Sequence, residues 1–482
     1  MIVEELLTKK PFYKVMPPTA HTNVVASNLN NRFSMSDDLR YNIIPQTDFI
    51  REYYPSGHKI NSPVFFPNRI KYDEERGQFF EEKVFRIAFP FQFIITTQHL
   101  VHLCGNDLVF ELTPTVQSDE LKAAFTDVKQ GWLDKNMEIA LFRFFRSALI
   151  TGDSALVQYI HKGKCGWKVL SSLDGDVLFP HYDSITGQLS QFARKFQSFD
   201  ETGKSVCEYV EVWDDTYYYL YRKSNGAIQS GINRLKNYLG MSGYELVQRP
   251  TMHGFKQIPV AYKRFDQGAC WSFVQHLIDN FEISVSHLCQ SNMAYAFPIM
   301  VLKGESVDIQ GDIYGAVKAI TMGQDDDAKY LEQPNSSAAF ELQLKTILDM
   351  IFMGSFIVKP PEVRSGDLPG VAIKLIYSPS IEIATTEAKE FDDAIDSIVR
   401  TFKFAYGVER DKVTEYSNLD IFTWIEPYIH QNSSELINNL VQSVSADILS
   451  KETAADKTTY GTNDEVYRLI KQRKEQELHN LL

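Results

Sequence analysis

The chain has 482 residues, a length that suggests about three domains. Its 44% hydrophobic and 13% aromatic content excludes general disorder. A formal net charge of −13 and a pI near 5.4 exclude a protein that grips nucleic acid tightly through its phosphates.

Residues 1 to about 60 are rich in Asn, Ser, Pro and Asp, with Ser36-Asp37-Asp38 and Tyr53-Tyr54-Pro55, and read as an irregular arm with short helices that wraps a neighbour. An apolar segment from Val84 to Cys104 follows, with Pro90 at a helix start or break. Ser118 caps a helix carrying Leu121 and Phe125, expected to extend to Ile150. Strand formers then fill Ala155–Ile160, Trp167–Leu170, Gln191–Phe196, Cys207–Trp213 and Thr216–Tyr221. Asp183-Ser-Ile-Thr-Gly187 and Asp200-Glu-Thr-Gly203 are hairpin loops, and Gly254–Tyr262 is one more strand.

The stretch from Gly268 to Gly407 is the organising part. Trp271, Val274, Ile278, Phe281, Val285 and Leu288, at alternating three- and four-residue spacing, predict an apolar seam along a helix from Cys270 to Tyr295. That helix is about 39 Å long at 1.5 Å per residue. A strand-like run, Phe297–Leu302, leads into an acidic insert from Gly304 to Pro334. A second apolar helix covers Ser336 to Val358, and a Pro/Gly-rich loop runs from Lys359 to Gly370. A third helix carries Ala384, Ala388, Phe391, Ile395, Ile398, Phe402 and Ala405, again at four-three spacing. These elements make a rod rather than a compact pocket, as in a part of an assembly. Asp420–Pro427 reads as a strand, Asn432 with Glu435 starts a helix, and Thr462 with Glu465 starts a charged final one. There is no internal repeat.

Candidate chemistry is sparse. Gly152-Asp153-Ser154-Ala155-Leu156 resembles the nucleophile motif of one esterase class, but a turn before a strand outweighs a nucleophile there. His99, His102 and Cys104 have ligand-like spacing without a second cluster to complete a metal site, so core side chains are the stronger reading. Asp325, Asp326 and Asp327 lack the alternating spacing of a calcium loop and read as a solvated acidic tip or a partner-docking patch. The pairs Asp214-Asp215 and Asp392-Asp393 have no pocket context. No phosphate-binding glycine loop and no H-E-x-x-H is present, so the expectation is a non-enzyme without cofactor or metal. Any energy-driven process it serves needs another chain to hydrolyse the nucleotide. Five scattered cysteines, Cys104, Cys165, Cys207, Cys270 and Cys289, read as free thiols in a reducing cytoplasm. The N-terminus lacks a signal-peptide pattern. The longest apolar run, Leu344–Val358, carries Lys345 and Asp349, so a soluble protein made where it works is expected.

Charge along the rod says more. No Lys or Arg stands between Arg264 and Lys303, and Asp279 and Glu282 are the only charged groups of the first long helix. The insert carries seven acidic against two basic residues, a net of minus five.

In number and order, several segments resemble those of the portal proteins of tailed bacteriophages, of the siphovirus type. They are Gly131-Trp132, Gly152–Tyr159, Leu178–Asp183, Cys207–Trp213, Ile258–Val260, Leu277–Asp279 and Met300–Gly304. Ser365-Gly366 with Gly370–Lys374, Asp420–Phe422 and Leu449–Thr453 are similar as well. One departure is that Asp367-Leu-Pro369 separates Ser365-Gly366 from the segment that follows it.

The resemblance implies an α+β portal fold: an α/β wing over 1–265 with a strand at 415–430, and stem helices at 266–296 and 335–358. It implies further a small α/β clip at 297–334, a tunnel loop at 359–369, a kinked helix at 370–406 with Pro379 at the break, and a helical crown at 431–482. It implies a homo-oligomeric, dodecameric ring at a capsid vertex of the virion, made in the host cytoplasm, whose channel passes double-stranded DNA in packaging and ejection. Partners implied are the large terminase subunit, the head–tail adaptor, and the major capsid and scaffolding proteins, with no membrane. The DNA-facing loop then comprises Lys359, Pro360, Pro361, Glu362, Val363, Arg364, Ser365 and Gly366, and Asp325, Asp326 and Asp327 dock the clip's partners. A non-portal virion adaptor and, more remotely, an esterase using Ser154 are the competing readings.

Overall fold

The computed structural model describes residues 12–14, 43–73, 77–113, 118–183, 185–199, 205–223, 244–296, 300–303, 308–310, 319–321, 327–330, 337–359, 370–429, 433–446, 448–449 and 454. Helices and antiparallel strands occupy separate stretches of the chain, an α+β arrangement. Its elements, in order, open with a small strand pair β1 (Phe12–Lys14) and β2 (Ile43–Pro45) and the helix α1 (Gln46–Tyr53). A hairpin β3 (Arg69–Asp73) and β4 (Gln78–Glu82), α2 (Phe91–Cys104) and β5 (Val109–Leu112) follow. Next are α3 (Asp119–Asp134), α4 (Met137–Thr151), β6 (Asp153–His161) and β7 (Lys164–Leu170). Then come β8 (Val177–Tyr182), β9 (Leu189–Phe199), β10 (Val206–Trp213), β11 (Tyr217–Lys223), β12 (Tyr244–Leu246), β13 (Thr251–Met252) and β14 (Val260–Arg264). After α5 (Gln275–Ala296) stand four short strands: β15 (Met300–Lys303), β16 (Asp308–Gln310), β17 (Ala319–Thr321) and β18 (Asp327–Tyr330). The last elements are α6 (Ser337–Gly354), α7 (Gly370–Ile376), α8 (Ser378–Arg410), α9 (Val413–Ser417), β19 (Ile421–Trp424) and α10 (Ser433–Ser445).

The chain forms two compact units, 1–97 with 112–355 and 393–421, and 98–111 with 356–392 and 422–482. In the first, β14-β6-β7 form one sheet and β12-β11-β10-β9-β8 another, with β13 paired to β11. Ala155, Val157, Leu170, Leu178, Phe192, Trp213 and Val260 pack together as their common core. The end of α8 lies against this body: the Gln158 side-chain amide donates to the Ile398 carbonyl (2.8 Å), and Phe402 meets Trp132 edge-on at 5.2 Å. Tyr406 and Tyr416 extend the aromatic column at 5.8 Å. In the second unit, Phe422–Trp424 of β19 runs beside β5.

Several expectations are corrected. Ser118 does cap α3, its hydroxyl accepting the Leu121 N–H, but the helix expected to reach Ile150 is two helices. Asn136 takes a left-handed φ of 54°, and the Lys135 carbonyl turns outward to accept the Trp167 indole N–H at 2.8 Å. The Lys135 ammonium meets Glu409 at 2.7 Å. Burial acts to raise the Glu409 carboxyl, but Lys135 and the Cys165 N–H outweigh it and hold it at about 2. The strand placed at Gly254–Tyr262 is β14, beginning at Val260, because Gly254 (φ 82°) and Lys256 (φ 57°) leave the extended region. The helix placed at Cys270 begins at Gln275, after overlapping turns in which Val274 N–H donates to the Trp271 carbonyl. The second long helix ends at Gly354 rather than Val358, and Phe356 is left-handed at φ 57°. The break near Pro379 lies at Tyr377, and Pro379 sits in the first turn of α8, where its missing N–H costs nothing.

Nor do residues 46–60 reach away from their own chain: α1 packs on α4, and the following turn packs on α5. The β3–β4 hairpin is an element the sequence reading missed. The loop at Asp200–Gly203 and the final helix from Thr462 lie outside the described residues.

Gly131 lies under the Tyr406 ring, where an added methyl would run into the aromatic carbons. Gly131→Ala is expected to destabilise the protein by about 1–3 kcal/mol through overpacking, read as a lower thermal midpoint at unchanged folded-state circular dichroism.

Candidate functional site

The loop proposed to face DNA begins at Lys359, which is exposed. Its root is built from the second unit. After the left-handed Phe356, Ile357 is buried and the next residue is gripped from both sides by one side chain. The Gln98 amide donates to the Val358 carbonyl, and the Val358 N–H donates back to the Gln98 Oε1, each at 3.1 Å. The Ser380 hydroxyl donates to the Phe356 carbonyl at 2.8 Å. The residue after Gln98 on α2, His99, meets the Glu387 carboxylate through Nδ1 at 2.7 Å, and one turn on His102 Nδ1 meets the Tyr428 carbonyl at 2.8 Å. A primary amide offers a donor and an acceptor side by side, so Gln98 pairs both backbone polar groups of Val358, which belong to two adjacent peptide groups, without bringing a charge inside. The sequence reading passed over Gln98 because a lone Gln in an apolar helix carries no motif. Pro360, Pro361, Glu362, Val363, Arg364, Ser365 and Gly366 lie outside the described residues.

In the first unit, α5 and α6 pack together, with Val274 close to Gly354. The expected seam divides along its length. Trp271, Val274 and Ile278 are buried, whereas Phe281, Val285 and Leu288 are only half-buried. The fully buried positions further on are polar, Glu282 and Ser286. Residues from the N-terminal part of the chain reach Ser286 Oγ and one oxygen of Glu282, whose Oε2 is buried without a hydrogen bond among the described residues. His58 Nδ1 meets Glu282 Oε1 at 2.6 Å, the Phe89 N–H donates to the same oxygen at 2.8 Å, and the Ile87 N–H donates to Ser286 Oγ at 3.0 Å. Lys59 donates to Asp279 Oδ2 at 2.7 Å, and Gln92 donates to Gln275 Oε1 at 2.9 Å. Both carboxylates of α5 are thus paired within one chain. A buried carboxylate without such partners would cost several kcal/mol.

At the far end of α5 and α6, β15 pairs with β18 and β16 with β17. Asp327 opens β18 opposite Lys303, while Asp325 and Asp326 lie outside the described residues.

The remaining candidates are structural. Ser154 is wholly buried within β6, its hydroxyl directed at the Leu170 carbonyl at 3.4 Å, so the esterase reading is overturned: no substrate reaches that oxygen. His99 and His102 are buried on the partners given above, and Cys104 donates to the Leu100 carbonyl. Among the described residues, no group of three or more His, Cys, Asp or Glu is placed to hold a metal ion. Asp214 accepts from the Thr216 and Tyr217 N–H groups and closes a turn, and Asp392 pairs with Lys389. Among the same residues no helix is long and apolar enough to cross a membrane.

Comparison with known proteins identifies a family. The family model described as "Phage portal protein, SPP1 Gp6-like" matches residues 40–479. The portal protein of Bacillus phage SPP1 is 24% identical over 326 residues, which cover 62% of this chain and 62% of that protein's own length.

Replacing Gln98 with Ala removes both hydrogen bonds to residue 358 and takes the Gln98 partner from its N–H and its carbonyl. The expected loss is about 1–3 kcal/mol of local stability, measured as faster amide exchange at Ile357–Lys359 while residues 137–151 keep their protection.

Proposed function

The chain belongs to the phage portal protein family, SPP1 Gp6-like, and from that premise we propose that identical copies close into a ring, dodecameric as the family resemblance implies, at one vertex of a capsid. Portal proteins are structural components of the virion rather than enzymes. In this reading the ring's axial channel passes double-stranded DNA inward during packaging and outward at ejection. The large terminase subunit docks on the clip during packaging, and a head–tail adaptor replaces it later. Major capsid and scaffolding proteins contact the ring's periphery.

The observation that carries the reading is the apolar surface that a single chain leaves uncovered. Ile70 and Phe79 on the β3–β4 hairpin are 75% and 74% exposed, and Leu342 and Met353 on α6 are 66% and 75% exposed. A two-stranded hairpin is marginal alone in water, and clustered apolar side chains of this size mark an interface. Neighbouring copies are the cover proposed for them.

The charge pattern supports a channel. The helix α5 presents no Lys or Arg, so a wall built from it holds phosphate weakly and DNA slides by non-specific contact. Lys359 and Arg364, beside prolines that stiffen the loop, are the residues proposed to approach DNA. The strands at 300–330, with Asp325, Asp326 and Asp327, form the proposed clip, whose net negative charge steers docking partners.

Negative-stain images of the purified protein are expected to contain rings with a central hole. The double variant Ile70→Glu, Phe79→Glu is expected to stay folded and yield mostly unclosed species. A monomer at high concentration, with no ring in assembled heads, would overturn the proposal. Virions carrying Lys359→Glu with Arg364→Glu are expected to package or eject DNA at reduced yield, and wild-type yield would remove the DNA role of these two residues.

A further inference from the structure

Glu52, on the last turn of α1, is buried, yet its recorded hydrogen bond is to a neutral group: the Trp271 indole N–H donates to its Oε2 at 3.2 Å. Trp271 is itself fully buried and stacks on Tyr53 at 5.7 Å, in the turns that lead into α5. Two steps away, Lys59 is already committed to Asp279 at 2.7 Å, and Asp279 also accepts from Gln275 at 2.9 Å. The charges acting on Glu52 are therefore Lys59, which favours its ionised form, and Asp279 and Asp48, which oppose it. Asp48 pairs with Arg51 at 3.2 Å on the outer side of α1. Helix α4 and the turn at Ser172–Asp174 also pack on α1, without being among the charges that act on Glu52. The His58–Glu282 pair lies next along α5 and stands on its own partners.

We propose that Glu52 and Trp271 form a proton-linked latch, through which the segment 46–61 holds the start of α5 more firmly in mild acid than in mild alkali. The geometry supplies the reason. A carboxyl group desolvated against an indole, with its nearest cation engaged elsewhere, is better accommodated neutral than ionised. Burial pushes the Glu52 carboxyl up to about 7, against an ordinary value of 4.5, while the indole hydrogen bond and Lys59 pull the other way. Because the value in the seated state is the raised one, the stabilisation is complete below the ordinary carboxylate range. It is lost as pH rises through about 7. Between pH 6 and pH 8 the equilibrium for unseating α5 shifts by about tenfold. The latch works within one chain and does not depend on the ring, so its test is separate from that of assembly.

Amide exchange on the full-length protein, corrected for intrinsic rates, tests this at Ile278–Glu282. In the wild type, opening of these amides is expected to rise by about tenfold from pH 6 to pH 8, with residues 137–151 unchanged. In Glu52→Gln, whose amide keeps the acceptor for the indole and cannot ionise, the expected rise is abolished and protection at pH 8 is at or above wild type. Any contribution of His58–Glu282 is common to both proteins and cancels in the difference. Equal pH dependence in the two proteins overturns the latch. So does a wild-type α5 whose protection is the same at both pH values, whatever the variant does.

Discussion

Two carboxylates on a long helix that carries no cation of its own set the main constraint on this molecule. Asp279 and Glu282 face inward where water is scarce, and each needs a partner brought from elsewhere in sequence. The chain supplies them from segments 183 to 224 residues earlier, by laying residues 58–59 and 87–92 along the polar edge of α5. That one requirement fixes much else. His58 and Lys59 sit in the short turns after α1, the backbone N–H groups of Ile87 and Phe89 arrive just before α2, and Gln92 opens that helix. Once the polar edge is enclosed, the apolar edge at Phe281, Val285 and Leu288 is left half-covered. An amphipathic helix that spends its own chain on its polar side must find apolar company elsewhere, and in the proposed ring a neighbouring copy would meet that need.

Where local chemistry decides, the elements were legible in the sequence. The Ser118 cap, the alternating strands from Asp153 to Lys223 and the Asp183 turn all stand close to where their residue types put them. The errors share a cause, which is tertiary contact overriding periodicity. The α3–α4 break exists because Trp167 and Glu409, distant in sequence, claim the backbone and side chain of Lys135. The start of α5 is delayed because Trp271 turns to meet Glu52 and Tyr53. The predicted seam held only as far as Ile278, since hydrophobic spacing reveals which side of a helix is apolar and not which side its own chain will cover. The clasp itself was invisible, because His58 and Lys59 lie in an Asn- and Pro-rich stretch that looks like a loose arm.

The proposed loop was found by composition, whereas its anchorage was not. Prolines and glycines around Lys359 mark an irregular connection, but the grip of Gln98 on residue 358 is a peptide-like pairing made across 260 positions. Such a root lets the two ends of a loop be held without specifying its tip. That anchorage is compatible with the DNA-facing role proposed for the loop.

The proposed passage of DNA along an acidic chain is consistent with these contacts. If a wall is to let a polyanion pass, strong phosphate contacts are a hindrance, since each one adds a counterion-release term that holds the strand in place. Pairing Asp279 and Glu282 internally removes the opposite hazard, a ring of bare carboxylates multiplied by the number of copies. What remains on α5 is close to neutral. The proposed loop carries one cation at Lys359 and one at Arg364 in sequence, so in the proposed ring their effect would be set by how many copies present them together. In the proposed ring, affinity would be a property of the closed assembly, and a single chain would bind DNA poorly.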